Sequence, residues 1–144
     1  MSTHKVTLVF EDGRAVNFDA SEEDNVYFAS LKNKVRILTD CLEGACATCK
    51  GVCTSGSYHL DEYTDEALTS EELSKGEVLT CQMHVTSDCI IELPYDSGVA
   101  LKSKPDKRAA TVLEVEMISS TVARLVVEPD RDIGPVSFMP GQYV

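Results

Sequence analysis

Four of the six cysteines in this 144-residue chain have a spacing that could do inorganic chemistry. Cys41, Cys46 and Cys49 form a C-x4-C-x2-C run, and Cys81 follows after 31 intervening residues. This is a known ligand spacing for a [2Fe–2S] cluster. Each of two irons needs two thiolates, soft sulfur donors select soft metal centres, and the metal itself enforces deprotonation. Three ligands within nine residues cannot converge from a regular helix or strand, so a loop must wrap the metal. Gly44 permits backbone angles that other residues resist, and Ala45, Ala47 and Thr48 are small enough to let the backbone come close. The backbone of these four residues is therefore the expected cofactor-binding surface. Counting thiolates, sulfides and irons gives about −2 for the oxidised centre and about −3 for the reduced one. Inward-pointing amide N–H groups should surround it. The chemistry is one-electron transfer, roughly −0.4 V for clusters of this type, and no catalytic acid, base or nucleophile is expected.

Six cysteines admit other readings. Six cysteines allow 15 disulfide connectivities in a secreted protein, but the start of the chain lacks the apolar core of a signal peptide. A four-cysteine zinc site usually shows two C-x2-C pairs, and here only Cys46 and Cys49 make one. A Rieske centre needs C-x-H upstream of C-x-x-H. Cys81-Gln-Met-His84 supplies only the second half, so His84 reads as an ordinary strand histidine. Cys53 and Cys89 read as small buried hydrophobes, with Cys53 near enough in sequence to replace a lost ligand. His4 and His59 receive no role. Asp61-Glu62 and Glu71-Glu72 read as surface charge.

The formal net charge is −11, and all of it falls within residues 1–100, which carry 18 Asp and Glu against 7 Lys and Arg. Phosphates would be repelled, which disfavours nucleic acid as a partner. No apolar stretch approaches the roughly 20 residues of a membrane span. Metal-bound thiols and the absent leader point to a cytoplasmic protein.

The elements that must position the ligands follow from periodicity. Lys5–Phe10 alternates, with Val6, Leu8 and Phe10 on one face. Glu11-Asp-Gly13 turns the chain, and Arg14–Phe18 returns as a hairpin arm. Asp24 is a candidate cap for a helix running to about Lys32, with Val26, Ala29 and, as a third candidate, Leu31 facing inward. Val35, Ile37 and Leu38 carry the chain to the cysteine loop. Val52 opens a strand ended by Ser55-Gly56-Ser57. Thr69-Ser-Glu-Glu72 is a capping box for a short helix closed near Gly76. Val78 and Leu79 deliver Cys81, and Ile90, Ile91 and Leu93 make a closing strand. The class is α+β. Residues 98–110 read as a linker. Thr111–Val115 and Val122–Val127 pair antiparallel, Glu128-Pro-Asp-Arg131 turns, and Phe138–Val144 begins a further strand. Forty-odd residues with three strands do not stand alone, so residues 111–144 read as a truncated second domain.

The cysteine loop and its flanks, Glu43-Gly-Ala-Cys46 and Leu79-Thr-Cys81-Gln82 among them, resemble the plant-type ferredoxins over residues 1–97. The tail, ending Pro140-Gly-Gln-Tyr-Val144, resembles the opening of the flavin barrel of ferredoxin–NADP reductase-like proteins. That order is similar to the reductase components of bacterial aromatic-ring dioxygenases of the benzoate and anthranilate type. The resemblance implies a β-grasp domain followed by a truncated all-β flavin-barrel fragment. It implies Cys41, Cys46, Cys49 and Cys81 as ligands, and electrons passing from NADH through FAD to the cluster. The outlet would be the Rieske centre of an oxygenase component. The donor would be the flavin domain of the same full-length chain. FAD and NADH belong to the missing C-terminal part, since the family's Arg-x-Tyr-Ser flavin motif would fall beyond Val144. Two departures stand out. Leu42 occupies a place where the group often has Arg, and Ala47 one where it often has Gly. A stand-alone ferredoxin carrier, and a zinc-bound or metal-free β-grasp interaction module, remain the alternatives.

Overall fold

The computed structural model describes residues 2–101 and 109–130. The chain divides into two units, Met1–Ser103 and Lys104–Val144.

In the first unit, β1 (Thr3–Phe10) and β2 (Ala15–Ser21) pair antiparallel, Val6 facing Phe18 and Leu8 facing Val16. Alternation places Val6, Leu8 and Phe10 in the core, at 2% exposure or less. The turn between the strands uses Gly13 at φ +78°. α1 (Val26–Lys32) buries Val26 and Ala29. The helix differs from the sequence expectation at two positions. The cap is Asn25, whose side-chain oxygen accepts from the Phe28 N–H, while Asp24 instead pairs with Lys32 at 2.6 Å. Leu31 is exposed, and Ser30 takes the inward position, its hydroxyl bonded to the Tyr27 carbonyl at 2.7 Å.

After the cysteine loop come β3 (Lys50–Ser55), β4 (Tyr58–Leu60), α2 (Ser70–Ser74), β5 (Glu77–Leu79), β6 (Met83–Val85) and β7 (Cys89–Leu93). Thr69 caps α2 and Glu72 completes the box. The sheet order is β2-β1-β7-β3-β5. The strand expected to close the domain therefore lies at its centre, parallel to β1 and antiparallel to β3. Two-sided pairing of β7 fits its pattern, with Cys89, Ile91 and Leu93 buried and Ile90 and Glu92 outward. β4 and β6, which periodicity did not reveal, form a separate two-stranded ribbon.

Residues 98–100, expected to open a linker, lie instead in a short helix. α3 (Ser97–Ala100) buries Ala100, whose carbonyl accepts from Arg36 N at 3.1 Å. The rest of the expected linker, residues 102–108, lies outside the described residues, as does the expected strand at Phe138–Val144.

In the second unit, β8 (Ala110–Met117) pairs with β9 (Ala123–Pro129). A register shift between Val112 and Glu114 re-phases β8. Val112, Val115 and Met117 then face Val127, Leu125 and Ala123 across the ribbon. Every residue of β8 is exposed.

Among the described residues, no helix is long and apolar enough to cross a membrane.

Candidate metal centre

Between α1 and β3 the backbone makes its turns with left-handed residues: Lys34, Leu42, Gly44 and Ala47 have φ between 60° and 72°. Gly44 has a second reason to lack a side chain. A Cβ there would lie 2.7 Å from the Glu62 carbonyl oxygen and 2.9 Å from Tyr63 Cα. Ala47 at φ +60° shows why glycine suits its position. The methyl group carries a local strain of about 1–2 kcal/mol.

These turns aim amides at sulfur. The N–H groups of Glu43 and Ala45 each donate to Cys41 Sγ at 3.4 Å, and that of Cys41 to Cys46 Sγ at 3.5 Å. Gly44 N–H points to the Cys81 sulfur, and Thr48 N–H to that of Cys46. Thr48 Oγ1 lies 3.3 Å from Cys46 Sγ. Each contact offers a positive partial charge where anionic sulfur would sit.

The four sulfurs fall into two pairs. Cys41 and Cys46 hydrogen-bond to each other on the loop, Cys46 being exposed. Cys49 and Cys81 are buried, their sulfurs 3.3 Å apart. Thr80 ties the second pair together, its N–H and hydroxyl both donating to the Cys49 carbonyl at 3.1 and 2.9 Å.

Charge preferences follow this geometry. Burial opposes ionisation of Cys46. The Thr48 hydroxyl and the N–H groups of Cys41 and Thr48 outweigh it and bring the thiol down to about 7. Cys49 and Cys81 share one proton. The hydrogen bond from Cys49 draws Cys81 down to about 6 against burial, with help from Gln82, while Cys49 itself is raised.

Two residues that sequence reasoning gave no role hold this arrangement. Gln82, 8% exposed, donates from Nε2 to the Leu42 carbonyl at 3.1 Å and approaches Cys81 Sγ at 3.5 Å. It is a long polar side chain buried directly after Cys81, between Leu79 and Met83, and that placement was the available signal. Asn25 caps α1 with its oxygen and donates from Nδ2 to the Cys81 carbonyl at 2.8 Å. Tyr27 N–H adds a bond to the Thr80 carbonyl at 3.0 Å. The helix is thereby pinned to the segment that delivers Cys81.

The remaining cysteines lie elsewhere. Cys89 on β7 is buried as expected, whereas Cys53 on β3 is only half-buried; it packs against the main core and interacts with Cys89. Burial raises both thiols, Cys89 to about 12. Leu42 is 40% exposed at the loop surface, so the position that often carries Arg presents an apolar side chain outward.

A loop whose amides converge on paired thiols, closed by a distant cysteine, defines an iron–sulfur ferredoxin-type domain. Residues 9–86 match the family described as 2Fe-2S iron-sulfur cluster binding domain, and the chain belongs to it. Its cofactor is the [2Fe–2S] cluster, and the donor set of paired, amide-solvated thiols fits that group. The chain is 37% identical over 143 residues to the toluate 1,2-dioxygenase electron transfer component of Pseudomonas putida, covering 99% of this chain and 42% of the relative. It is 31% identical over 140 residues to the anthranilate 1,2-dioxygenase electron transfer component of Acinetobacter baylyi, covering 97% and 41%. Among solved structures, it matches a cytochrome P450 reductase of Amycolatopsis with TM-score 0.59 and 26% identity, over 96% of this chain and 39% of that one. The chain spans about two fifths of the length of these proteins.

Proposed function

We propose that this chain is the electron-transfer part of an NADH-dependent, FAD-containing oxygenase reductase, delivering single electrons to the Rieske centre of a ring-hydroxylating, benzoate-type dioxygenase in the cytoplasm. The kinship to toluate and anthranilate dioxygenase electron transfer components supports it. When bound, the [2Fe–2S] cluster supplies a centre that gains and loses one electron without proton chemistry. Cys41 and Cys46 would hold one iron, Cys49 and Cys81 the other. The observation that carries this assignment is the grouping of the sulfurs in two pairs, one on the loop and one buried. The amides of Cys41, Glu43, Gly44, Ala45 and Thr48 offset the negative charge of the thiolates, and Gln82 fixes the loop at Leu42 against Cys81. Such bonds favour the more negative, reduced state. Exposed Leu42 and Cys46 leave one end of the site open to a partner, while the core closes the other.

The second unit reads as the opening hairpin of the flavin barrel. An isolated two-stranded ribbon is marginal in water. Here five apolar side chains of one face, Val112, Val115, Met117, Leu125 and Val127, are between 46% and 62% exposed. Further strands would cover them.

The test is anaerobic stopped flow. Cluster-loaded, dithionite-reduced chain is mixed with the Rieske oxygenase component of a benzoate or toluate dioxygenase. Reoxidation of the chain at a rate proportional to oxygenase concentration is expected. A rate unaffected by the oxygenase would argue for a general carrier with another acceptor.

A further inference from the structure

The geometry points to a second metal site on this domain: His59, Asp61 and His84 form a surface site for a divalent transition ion of the zinc or nickel class. All three reach one face of the β4–β6 ribbon. His59 and His84 are directly opposed across the two strands, and Asp61 follows His59 by two residues. The Asp61 N–H continues the pairing to the Gln82 carbonyl at 2.9 Å, which fixes the aspartate beside its neighbours. One ligand atom from each residue lies within 4.8 Å of the others.

His84 is already oriented as a ligand. Its Nδ1 lies 3.0 Å from the Glu22 carbonyl oxygen, which can only accept, so Nδ1 carries the hydrogen. Metal-binding imidazoles commonly donate their other N–H to a backbone carbonyl in this way. The Nε2 lone pair then faces Asp61 Oδ2 at 2.9 Å, a second acceptor. Two acceptors at that distance need a positive charge between them, either a proton or a metal ion. His59 stacks on His84 with ring centroids 5.0 Å apart and planes 6° from parallel. Its ring is exposed, so turning its nitrogen toward the same point costs that stack alone.

Two imidazoles and one carboxylate suit zinc or nickel and not magnesium or calcium, which prefer all-oxygen sets. Zn–N bonds of about 2.0 Å imply ligand atoms about 3.3 Å apart, a short closure for an exposed side chain. Three protein ligands leave a fourth position open to water. The chain has three histidines in all. The third, His4, is engaged separately with the Glu22 carboxylate at 2.9 Å.

The test is calorimetric titration of untagged, cluster-loaded chain with Zn2+, with iron and sulfide counted before and after. In parallel, the three imidazoles are followed by NMR. Saturation near one equivalent is expected, with the His59 and His84 signals moving, His4 unmoved and iron retained. His59→Ala, at an exposed position, and Asp61→Asn should each weaken binding at least tenfold while the visible spectrum stays unchanged. Zinc binding equally well to His59→Ala, or displacing iron while both imidazoles stay unmoved, would overturn the site. A proton alone would then bridge His84 and Asp61.

Discussion

The two ends of the cysteine site are built differently. Cys41 and Cys46 sit on a loop that solves its geometry locally, with left-handed turns and four amides drawn from its own residues. Cys49 and Cys81 are 4% and 2% exposed and meet only because β3, β5 and α1 are already in place. The first end is specified by nine residues of sequence, the second by the fold. Access to a partner and retention of the metal are therefore separate properties, and substitution should pull them apart.

The largest effect is expected at the buried end. Cys49→Ser should reduce iron from about two per chain to near zero, because half-buried Cys53 is engaged with Cys89 against the main core, away from the site. Cys41→Ser, on the more open end, should keep a measurable fraction, since water can complete the coordination there. Iron and sulfide analysis of both variants decides the matter. Equal loss would break the distinction between the two ends.

Next in size is the loop backbone. Gly44→Ala adds a methyl group 2.7 Å from the Glu62 carbonyl at φ +72°, and should cost about 2–3 kcal/mol in urea unfolding. Ala47→Gly should gain about 0.5–1 kcal/mol, the left-handed strain relieved less the added freedom of the unfolded chain. Ala47→Gly failing to stabilise would mean that the loop tolerates its strain by shifting elsewhere.

That contrast also marks what the sequence could say. The loop cysteines and the small residues between them, proposed as the cluster's surroundings, could be read from the sequence because cluster chemistry would dictate them within a short span. Val6, Leu8 and Phe10, and the box at Thr69 and Glu72, were legible from period and local bonding. The central place of β7 was not, because strand order depends on pairings between residues some eighty positions apart. Gln82 and Asn25 were missed for the same reason. Their partners, Leu42 and Cys81, lie 40 and 56 residues away. Asp24 and Asn25 are both good caps by type, and the bond to Cys81 that favours Asn25 is a long-range one.

Gln82 links the two ends, so its effect should be intermediate. Gln82→Met keeps the volume and removes both donations. One hydrogen bond of about 0.5–1.5 kcal/mol corresponds to roughly 20–60 mV for one electron. Spectroelectrochemistry should find the potential lowered by that amount with iron content unchanged. An unchanged potential would reduce Gln82 to packing.

The smallest effect concerns acid. Glu72 is held down to about 2, chiefly by its hydrogen bond from Lys50 at 2.6 Å and then by Thr69. A carboxylate with a depressed folded value adds stability that is complete above its ordinary 4.5 and is lost as pH falls toward about 2. Helix α2 should therefore loosen between those limits, and Glu72→Gln should remove the dependence. Amide exchange across Ser70–Ser74 reads this directly, and an identical acid profile in the variant would contradict it.

Anaerobic reconstitution with iron and sulfide tests most directly whether the two thiol pairs hold two irons. The expected product is red-brown, contains about two irons and two sulfides per chain, and gives a rhombic paramagnetic signal after uptake of one electron. A colourless protein, or one holding a single zinc at the cysteines, would contradict it.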